Sequence, residues 1–409
     1  MGLTDLLNRY AARRVHVLPV ELPGRWLLRA DLDCRIRGRG WAVAACPADA
    51  DVLAVCGIPG PQLSEVIERI WGQLPGPRVR IDVHHRRAID SALDHAALPL
   101  ADTAHQRADA SERAAQALPP DDEDADSSGG RHDGHPSTSE CGPTDGSRDQ
   151  PPDHGGSEGG GEEHTGTDHG EMDHGEMEMA PAGIALAEGG PDRDGLEMDV
   201  LHLRLGPVLA HWPAGLVLRC SLQGDVVVAA RVSLVDPEYA DDAASGDWAE
   251  SGAALYVARE CDHITDLLAL TGWVQAAQMS RQVRDLLIHE GTVDRARPRL
   301  ATLHGKVARS RVVRWSLRDL LPVTLDELER YRLPSALAGD TYDRLLRRIR
   351  FAQDVAAGAV PDREVQRALP RVVEALPELV TGLEVATVRL VVASLGIVTA
   401  PTEERRGHG

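Results

Sequence analysis

The stretch from Pro119 to Gly190 is the feature that most limits how this chain can fold. It contains 19 acidic residues against two arginines, a net charge of −17, while the whole chain of 409 residues carries −20. It is rich in Gly, Pro and Ser and poor in branched apolar residues, so it cannot bury enough apolar surface to fold alone. We therefore predict three parts: a folded domain over residues 1–100, an acidic His/Met/Gly-rich disordered linker over 101–190, and a folded domain over 191–400.

The end of the acidic stretch carries a near-repeat, since residues 168–172 and 173–177 both read Asp-His-Gly-Glu-Met. Imidazole binds nickel, copper and zinc, and thioether suits Cu(I), so this part of the linker is a candidate site for Ni, Cu or Zn. The candidate ligands are His164, His169, Met172, His174, Met177 and Met179. A solvated tether of low-complexity sequence is the alternative interpretation of the same residues.

Outside the acidic stretch the chain is close to neutral, which gives no support for nucleic-acid binding, because that function needs a basic face. The six cysteines include no CxxC pair, so neither a disulfide framework nor a zinc ribbon is expected. No apolar run is long enough to span a bilayer, and no basic segment followed by an apolar one opens the chain. We therefore expect a cytoplasmic protein with no direct membrane span.

The N-terminal half alternates apolar runs with one amphipathic segment. Residues 14–20 and 78–83 have the pattern of short strands, and the apolar run 51–56 has that of a strand buried on both faces. Between them, residues 62–74 have apolar side chains at helical spacing. Strand, helix and strand in this order predict a small parallel α/β domain.

Two segments of this half resemble a known family. Residues 46–57 read Cys-Pro-Ala-Asp-Ala-Asp-Val-Leu-Ala-Val-Cys-Gly, and residues 66–77 read Val-Ile-Glu-Arg-Ile-Trp-Gly-Gln-Leu-Pro-Gly-Pro. They resemble the patterns SPRxADVLLVTG and LRRxYEQxPEPKxVIAxG of the small iron–sulfur subunit shared by respiratory complex I and the [NiFe] hydrogenases. The resemblance covers roughly residues 14–85.

That resemblance implies a [4Fe–4S] cluster, held by a cysteine pair after the first strand and by further cysteines later in the chain. Here residues 19–25 contain no cysteine, and the later position reads Val83-His84-His85. Because an iron–sulfur cluster needs about four thiolates converging on one site, we expect the cluster to be absent.

The C-terminal half begins with strand patterns and continues with helical ones. Residues 196–205 contain an alternating strand, and apolar runs at 216–222 and 226–232 flank Gln223-Gly224-Asp225, which predicts a β-hairpin. Helical spacing follows at 250–271, 273–289, 295–320, 338–357, 362–379 and 380–395. This order predicts an α+β domain, a β-hairpin or sheet followed by a helical bundle.

A second resemblance lies in residues 205–227, which include Leu205-Gly206-Pro207 and His211-Trp212-Pro213. This segment resembles the opening of the large quinone-site subunit of complex I, a relative of the hydrogenase large subunit. The resemblance implies that His211 is a candidate quinone-loop residue, at a shifted position. A structural histidine beside Trp212 is the alternative. No CxxC pairs are present to hold a nickel–iron centre.

The two resemblances concern subunits that contact each other in their parent enzymes. Together they predict a fusion of degenerate small-subunit and large-subunit domains: a non-catalytic accessory or assembly-type protein with no catalytic residues and no cofactor of its own, at the periphery of a membrane complex. Its partners would be complex I-like or hydrogenase-like subunits, and its halves would pack on each other within one chain or across a dimer. A metal-handling protein that uses the linker is the alternative, and a redox-active oxidoreductase subunit is the least supported reading.

Overall fold

The computed structural model describes residues 14–117, 188–191, 197–237, 252–361 and 364–399. Over these residues it has a small parallel sheet with helices, then an antiparallel sheet followed by a helical bundle. The predicted fold class of both halves is therefore confirmed. Most of the predicted linker lies outside the described residues.

The N-terminal half is built on four parallel strands in the order β2-β1-β3-β4. They are β1 (His16–Glu21), β2 (Ala42–Val43), β3 (Val52–Cys56) and β4 (Val79–Val83). Every residue of β3 is buried, as expected for an apolar run between two neighbouring strands.

Four helices accompany this sheet: α1 (Trp26–Gly38), α2 (Pro61–Gln73), α3 (Ile89–Ala101) and α4 (Thr103–Ala117). The sequence patterns predict α2 but do not predict α1. In α1, Leu28, Leu32 and Ile36 pack in the core with β1 and β3, yet Asp31 and Asp33 are buried as well. Buried carboxylates among the apolar positions weaken the amphipathic pattern by which a helix is recognised.

Helix α4 occupies the start of the predicted linker and is held to the sheet by a buried arginine. The Arg78 guanidinium donates to both oxygens of Asp109 in α4, at 2.9–3.3 Å, and to the carbonyl of Trp71 in α2 at 2.5 Å. It also lies 4.1 Å from the centroid of the Trp71 ring. These contacts connect α4 to α2 and to β4, the strand that begins directly after Arg78.

The C-terminal half opens with an antiparallel sheet in chain order, β5 (Glu188–Pro191), β6 (Glu197–Leu205), β7 (Leu216–Gln223) and β8 (Val226–Leu234). The predicted hairpin is β7 and β8. Its turn contains Gly224 at a φ of +61°, a conformation that glycine adopts without strain.

Nine helices follow in the described part of this half. They are α5 (Gly252–Leu270), α6 (Val274–Glu290), α7 (Val293–Arg309), α8 (Arg311–Leu317), α9 (Leu325–Tyr331), α10 (Thr341–Ala356), α11 (Glu364–Arg367), α12 (Leu369–Val380) and α13 (Val385–Leu395). The helical spacing over 295–320 corresponds to two helices, α7 and α8, because Ser310 divides the segment: the serine hydroxyl accepts from the backbone N–H of Val313 at 3.3 Å and caps α8. None of the described helices is long and apolar enough to cross a membrane.

The described residues of 14–114 and of 188–399 belong to one compact unit. Trp26 of α1 lies in the same buried cluster as Tyr256 and Val257 of α5. The two halves therefore share a core within a single chain.

A second contact between the halves caps α2 with a residue from the other half. Asp236, which follows β8, accepts from the backbone N–H groups of Gln62 at 3.2 Å and Leu63 at 2.8 Å. A Cβ on Gly60 would lie 2.5 Å from the Asp236 carboxyl carbon, so this approach requires glycine. A carboxylate at a helix N-terminus satisfies backbone donors that would otherwise lack partners.

Candidate functional site

A cavity of about 610 Å³ lies at the carboxyl ends of β1 and β2, where the two halves meet. Its volume is in the range of small-molecule sites. The α/β half contributes the end of β1 and one face of α1, and the other half contributes residues 207–214, parts of α5 and α6, and residues 397–399. This cavity is the candidate functional site.

A buried carboxylate, Asp262 of α5, organises the wall of the cavity. It is 1% exposed, and it accepts hydrogen bonds from Arg29 at 2.5 and 3.2 Å, from Arg284 at 2.7 Å and from Arg259 at 3.2 Å. Arg29 belongs to α1, Arg259 to α5 and Arg284 to α6. The carboxylate therefore holds the two halves together at the cavity.

Arg284 extends this network to a second carboxylate. Its guanidinium, 1% exposed, also donates to Asp33 of α1 at 2.8 Å and to Asp285 at 2.7 Å. Arg37 of α1 contacts both of these carboxylates, at 2.9 and 3.0 Å. Arg29, in turn, donates to Glu21 at the end of β1 at 2.8 Å. We call Glu21, Arg29, Asp33, Arg37, Arg259, Asp262, Arg284 and Asp285 the ion network.

The two most buried carboxylates of the ion network, Asp33 and Asp262, are ionised in the folded protein. Burial by itself would raise the pKa of Asp33, but Arg284 and Arg37 outweigh burial and hold that pKa well below its usual range. Burial likewise opposes ionisation of Asp262, and Arg29 and Arg284 lower its pKa in the same way. The network consists of full charges compensated by one another, as buried charges require.

Two arginines on the wall have hydrogen-bonding capacity to spare. Arg259 is 7% exposed, its guanidinium lies 5.0 Å from the centroid of the Trp26 ring, and its Nε has no partner among the described residues. The Nε of Arg281 also lacks a hydrogen bond there and lies 3.8 Å from Asp33. Burial lowers the pKa of Arg281, and the opposing effect of Asp33 offsets only part of that decrease. A wall of this kind suits a small molecule with an oxyanion or a carbonyl oxygen.

The loop that carries His211 is fixed by several contacts. The Trp212 indole donates to the carbonyl of Leu216 at 2.9 Å, and Arg389 donates to the carbonyl of Ala210 at 2.8 Å. Gly206 has a φ of +81°, and a Cβ there would lie 2.0 Å from the Leu216 oxygen. Only glycine fits this position, so the loop has a defined shape.

His211, the residue predicted as the quinone-loop candidate, lies on the cavity wall. Its φ is +58°, which is unusual for a residue other than glycine. Its Nδ1 lies 2.9 Å from the Asp266 carboxylate of α5, and the two side chains are 31% and 29% exposed. A carboxylate on Nδ1 fixes the orientation of an imidazole and leaves Nε2 as its second hydrogen-bonding atom. Such a pair can hold or transfer a proton at the cavity.

The cysteines of the described residues do not form a cluster. Cys46 is exposed and lines the cavity, Cys34 is half-buried, and Cys56, Cys220 and Cys261 are buried. Burial raises the pKa of the Cys56 and Cys261 thiols far above its ordinary value, so both are protonated core residues. Within the described ranges, no three His, Cys, Asp or Glu side chains are grouped so that they could hold a metal ion.

The metal candidates of the linker are not part of this site, and their arrangement is untested. His164, His169, Met172, His174, Met177 and Met179 all lie outside the described residues.

Comparisons with known proteins add no family to these observations. No protein-family model matches the sequence, and a search of curated proteins finds no match.

The sequence named His211 as a candidate, and its role stays a prediction, whereas the ion network was not predicted from the sequence. One signal for it was present: Arg259, Glu260, Asp262 and His263 form a charged run inside a helix that is apolar on both sides of the run. Every residue from Tyr256 to Thr265 is buried. A charged run within a predicted core helix indicates buried ion pairs, because such charges are kept only when they are paired.

His263 makes the stability of the site dependent on pH. Burial and the neighbouring Arg259 hold the pKa of His263 well below its ordinary value of 6.5, against the opposing effect of Asp262. Above pH 7 the histidine is neutral in both the folded and unfolded states. As the pH falls below 6.5, the unfolded state takes up a proton that the folded state does not, so the free energy of unfolding falls by up to about 1.4 kcal/mol per pH unit.

We expect His263→Gln to make the fall in unfolding free energy between pH 7 and pH 5.5 shallower, as measured by urea denaturation. His84→Gln, which replaces an exposed histidine after β4, is the control and should keep the wild-type slope. An unchanged slope in His263→Gln would show that this histidine does not titrate as described.

Proposed function

We propose that this chain is an accessory or assembly-type relative of the NADH–quinone oxidoreductase and [NiFe]-hydrogenase module, without an iron–sulfur or nickel–iron centre of its own. It acts in the cytoplasm, peripheral to a membrane complex, and contacts complex I-like or hydrogenase-like subunits. The observation that carries the proposal is the ion network, which occupies the edge where the two resembling halves meet.

The arrangement of the halves supports the proposal. Their sequence resemblances are to subunits that contact each other, and in this chain the halves form one unit. The contact between Arg29 and Asp262 joins positions 233 residues apart. A long connection between such halves adds little to the entropic cost of bringing them together.

The side chains at the place where the two halves meet support the absence of an iron–sulfur cluster. The position after β1, where the resemblance implies a cysteine pair, is occupied by Leu22, Pro23, Gly24 and Arg25. Cys46 is the one cysteine among the described residues that lines the cavity. Guanidinium and carboxylate groups replace thiolates here, and they suit binding and packing rather than electron transfer through a cluster.

The test is to purify the tagged full chain from its native cells under mild conditions, and to measure iron, acid-labile sulfide, the visible absorption spectrum and the co-purifying proteins. We expect no broad visible band, no iron or sulfide in the amounts of a cluster, and subunits of the complex I or hydrogenase type among the bound proteins. The same tag on an unrelated acidic protein is the control for non-specific capture.

Either of two results would contradict the proposal. Stoichiometric iron and sulfide would make the chain a redox subunit. A preparation with neither complex I-type nor hydrogenase-type subunits nor their assembly intermediates would remove the accessory role.

Metal handling through the linker is the second candidate function, and the repeated pentads of residues 168–177 favour it. The folded halves would then serve as docking surfaces for a metalloenzyme that receives the metal. The chemistry of imidazole and thioether allows nickel, copper or zinc.

A matched pair of variants tests this function by calorimetric titration of the full chain with Ni²⁺, Cu²⁺ and Zn²⁺. Replacing His164, His169 and His174 by alanine should abolish binding of the preferred metal. The control variant replaces His132, His135 and His154, which lie earlier in the same acidic stretch. It should keep most of the metal binding. Binding of no metal by the wild-type chain, or equal losses in the two variants, would exclude a specific site in the pentads.

A further inference from the structure

Helices α7 and α8 present a concentration of positive charge that the proposed function does not explain. Between Val293 and Arg318 the chain has eight basic residues and one acidic residue, in a protein whose net charge is −20. All eight basic side chains are exposed. They are Arg295, Arg297, Arg299, Lys306, Arg309, Arg311, Arg314 and Arg318. We call them, with the exposed apolar side chains among them, the basic face.

Four of the five basic residues of α7 lie on one side of the helix, and Arg297 lies on another side. Arg295, Arg299, Lys306 and Arg309 are separated by four, seven and three residues, so they form one stripe along a helix of 3.6 residues per turn. The buried side of α7 is formed by Ala296, Leu300, Leu303 and Val307. The stripe therefore lies away from the core.

Helix α8, which begins directly after Ser310, exposes large apolar side chains beside its own arginines. Val313 and Leu317 are buried, whereas Val312 is 71% and Trp315 is 84% exposed. Trp315 stands next to Arg314 in sequence and shares the exposed side of α8 with Arg311. The ring of Trp315 is therefore left largely uncovered by the described residues.

Most of these charges are not compensated by ion pairs among the described residues. Arg295 pairs with Glu290, and Arg297 lies 3.8 Å from Asp294. The other six basic side chains form no ion pair within the part of the chain that the structure describes. A solvated helix stabilised by its own salt bridges would alternate the sign of its charges, and this segment does not.

We propose that the basic face docks on the surface of an anionic lipid bilayer, with its arginines at the lipid phosphates and Trp315 and Val312 in the interfacial region. Clusters of four to eight basic residues on an amphipathic helix bind anionic lipid headgroups, and tryptophan prefers the depth of those headgroups. Such a helix lies on the membrane without spanning it. The proposal goes beyond the proposed function, since it needs no partner subunit.

The combination of side chains favours lipid over the other polyanions. A nucleic acid would use the arginines but would leave Val312 in water, and an acidic protein would need a pocket shaped for Trp315. A bilayer surface accepts single protruding apolar side chains among flexible cations without a preformed pocket.

The test is sedimentation of the full chain with phosphatidylcholine vesicles that contain or lack phosphatidylglycerol. We expect binding to the anionic vesicles alone, weakened by salt. The triple variant Arg311→Glu/Arg314→Glu/Arg318→Glu should lower the partition coefficient by about a hundredfold, since each basic residue near an anionic surface contributes about fivefold. Trp315→Ser should lower it roughly tenfold.

Two matched controls separate this face from general charge and hydrophobicity. The first control is the triple variant Arg69→Glu/Arg87→Glu/Arg107→Glu, at exposed arginines of the other half. It changes the net charge by the same amount as the triple variant of the basic face. Leu98→Ser removes an apolar side chain that is 71% exposed in α3. Both controls should bind vesicles like the wild type, and circular dichroism verifies that every variant is folded.

The proposal is overturned if the chain does not sediment with anionic vesicles, if it binds both kinds of vesicle alike, or if the two triple variants lose binding equally. The basic face would instead be assigned to nucleic acid if the wild type binds duplex DNA but not vesicles, and if the Arg311/Arg314/Arg318 variant loses the DNA binding.

Discussion

The rest of the structure depends on the buried contact between Asp262 and the guanidinium groups of Arg29 and Arg284. A carboxylate at 1% exposure is strongly destabilising unless donors replace its water. Here Arg284 comes from α6, in the same half as Asp262, and Arg29 comes from α1 in the other half, so the full set of donors is assembled only when the halves meet. The contact fixes how the halves meet, and thereby the shape of the cavity between them.

The same contact decides what chemistry the cavity can support. Its wall is a set of paired charges with two arginines that retain free donors, beside the His211–Asp266 pair. This wall can bind a polar small molecule and hold a proton. Among the described residues Cys46 is the one cysteine on this wall, whereas an iron–sulfur site needs about four converging thiolates. The proposed accessory role rests on this difference.

Local patterns in the sequence were sufficient for most of the elements. The buried strand β3 and the β7–β8 hairpin follow from apolar runs and a glycine turn. Helix α1 could not be predicted in this way, because Asp31 and Asp33 interrupt its buried side. The charged run at 259–263 indicates buried ion pairs, but the partners could not be predicted because they are far apart in the chain: 233 residues separate Arg29 from Asp262, and 251 separate Asp33 from Arg284. His211 could be placed on a loop, but its partner Asp266, 55 residues later, could not be identified.

The most direct test of the central claim is a double-mutant cycle across the two halves. The unfolding free energies of the wild type, Arg29→Met, Asp262→Asn and the double variant are compared. The control cycle uses Arg39 and Asp94, a pair that is more exposed than Arg29 and Asp262, at 24% and 70%. The account predicts a coupling energy of roughly 2 kcal/mol for Arg29 and Asp262, against less than about 1 kcal/mol for the control. A coupling energy near zero for Arg29 and Asp262 would contradict the claim that this contact holds the halves together.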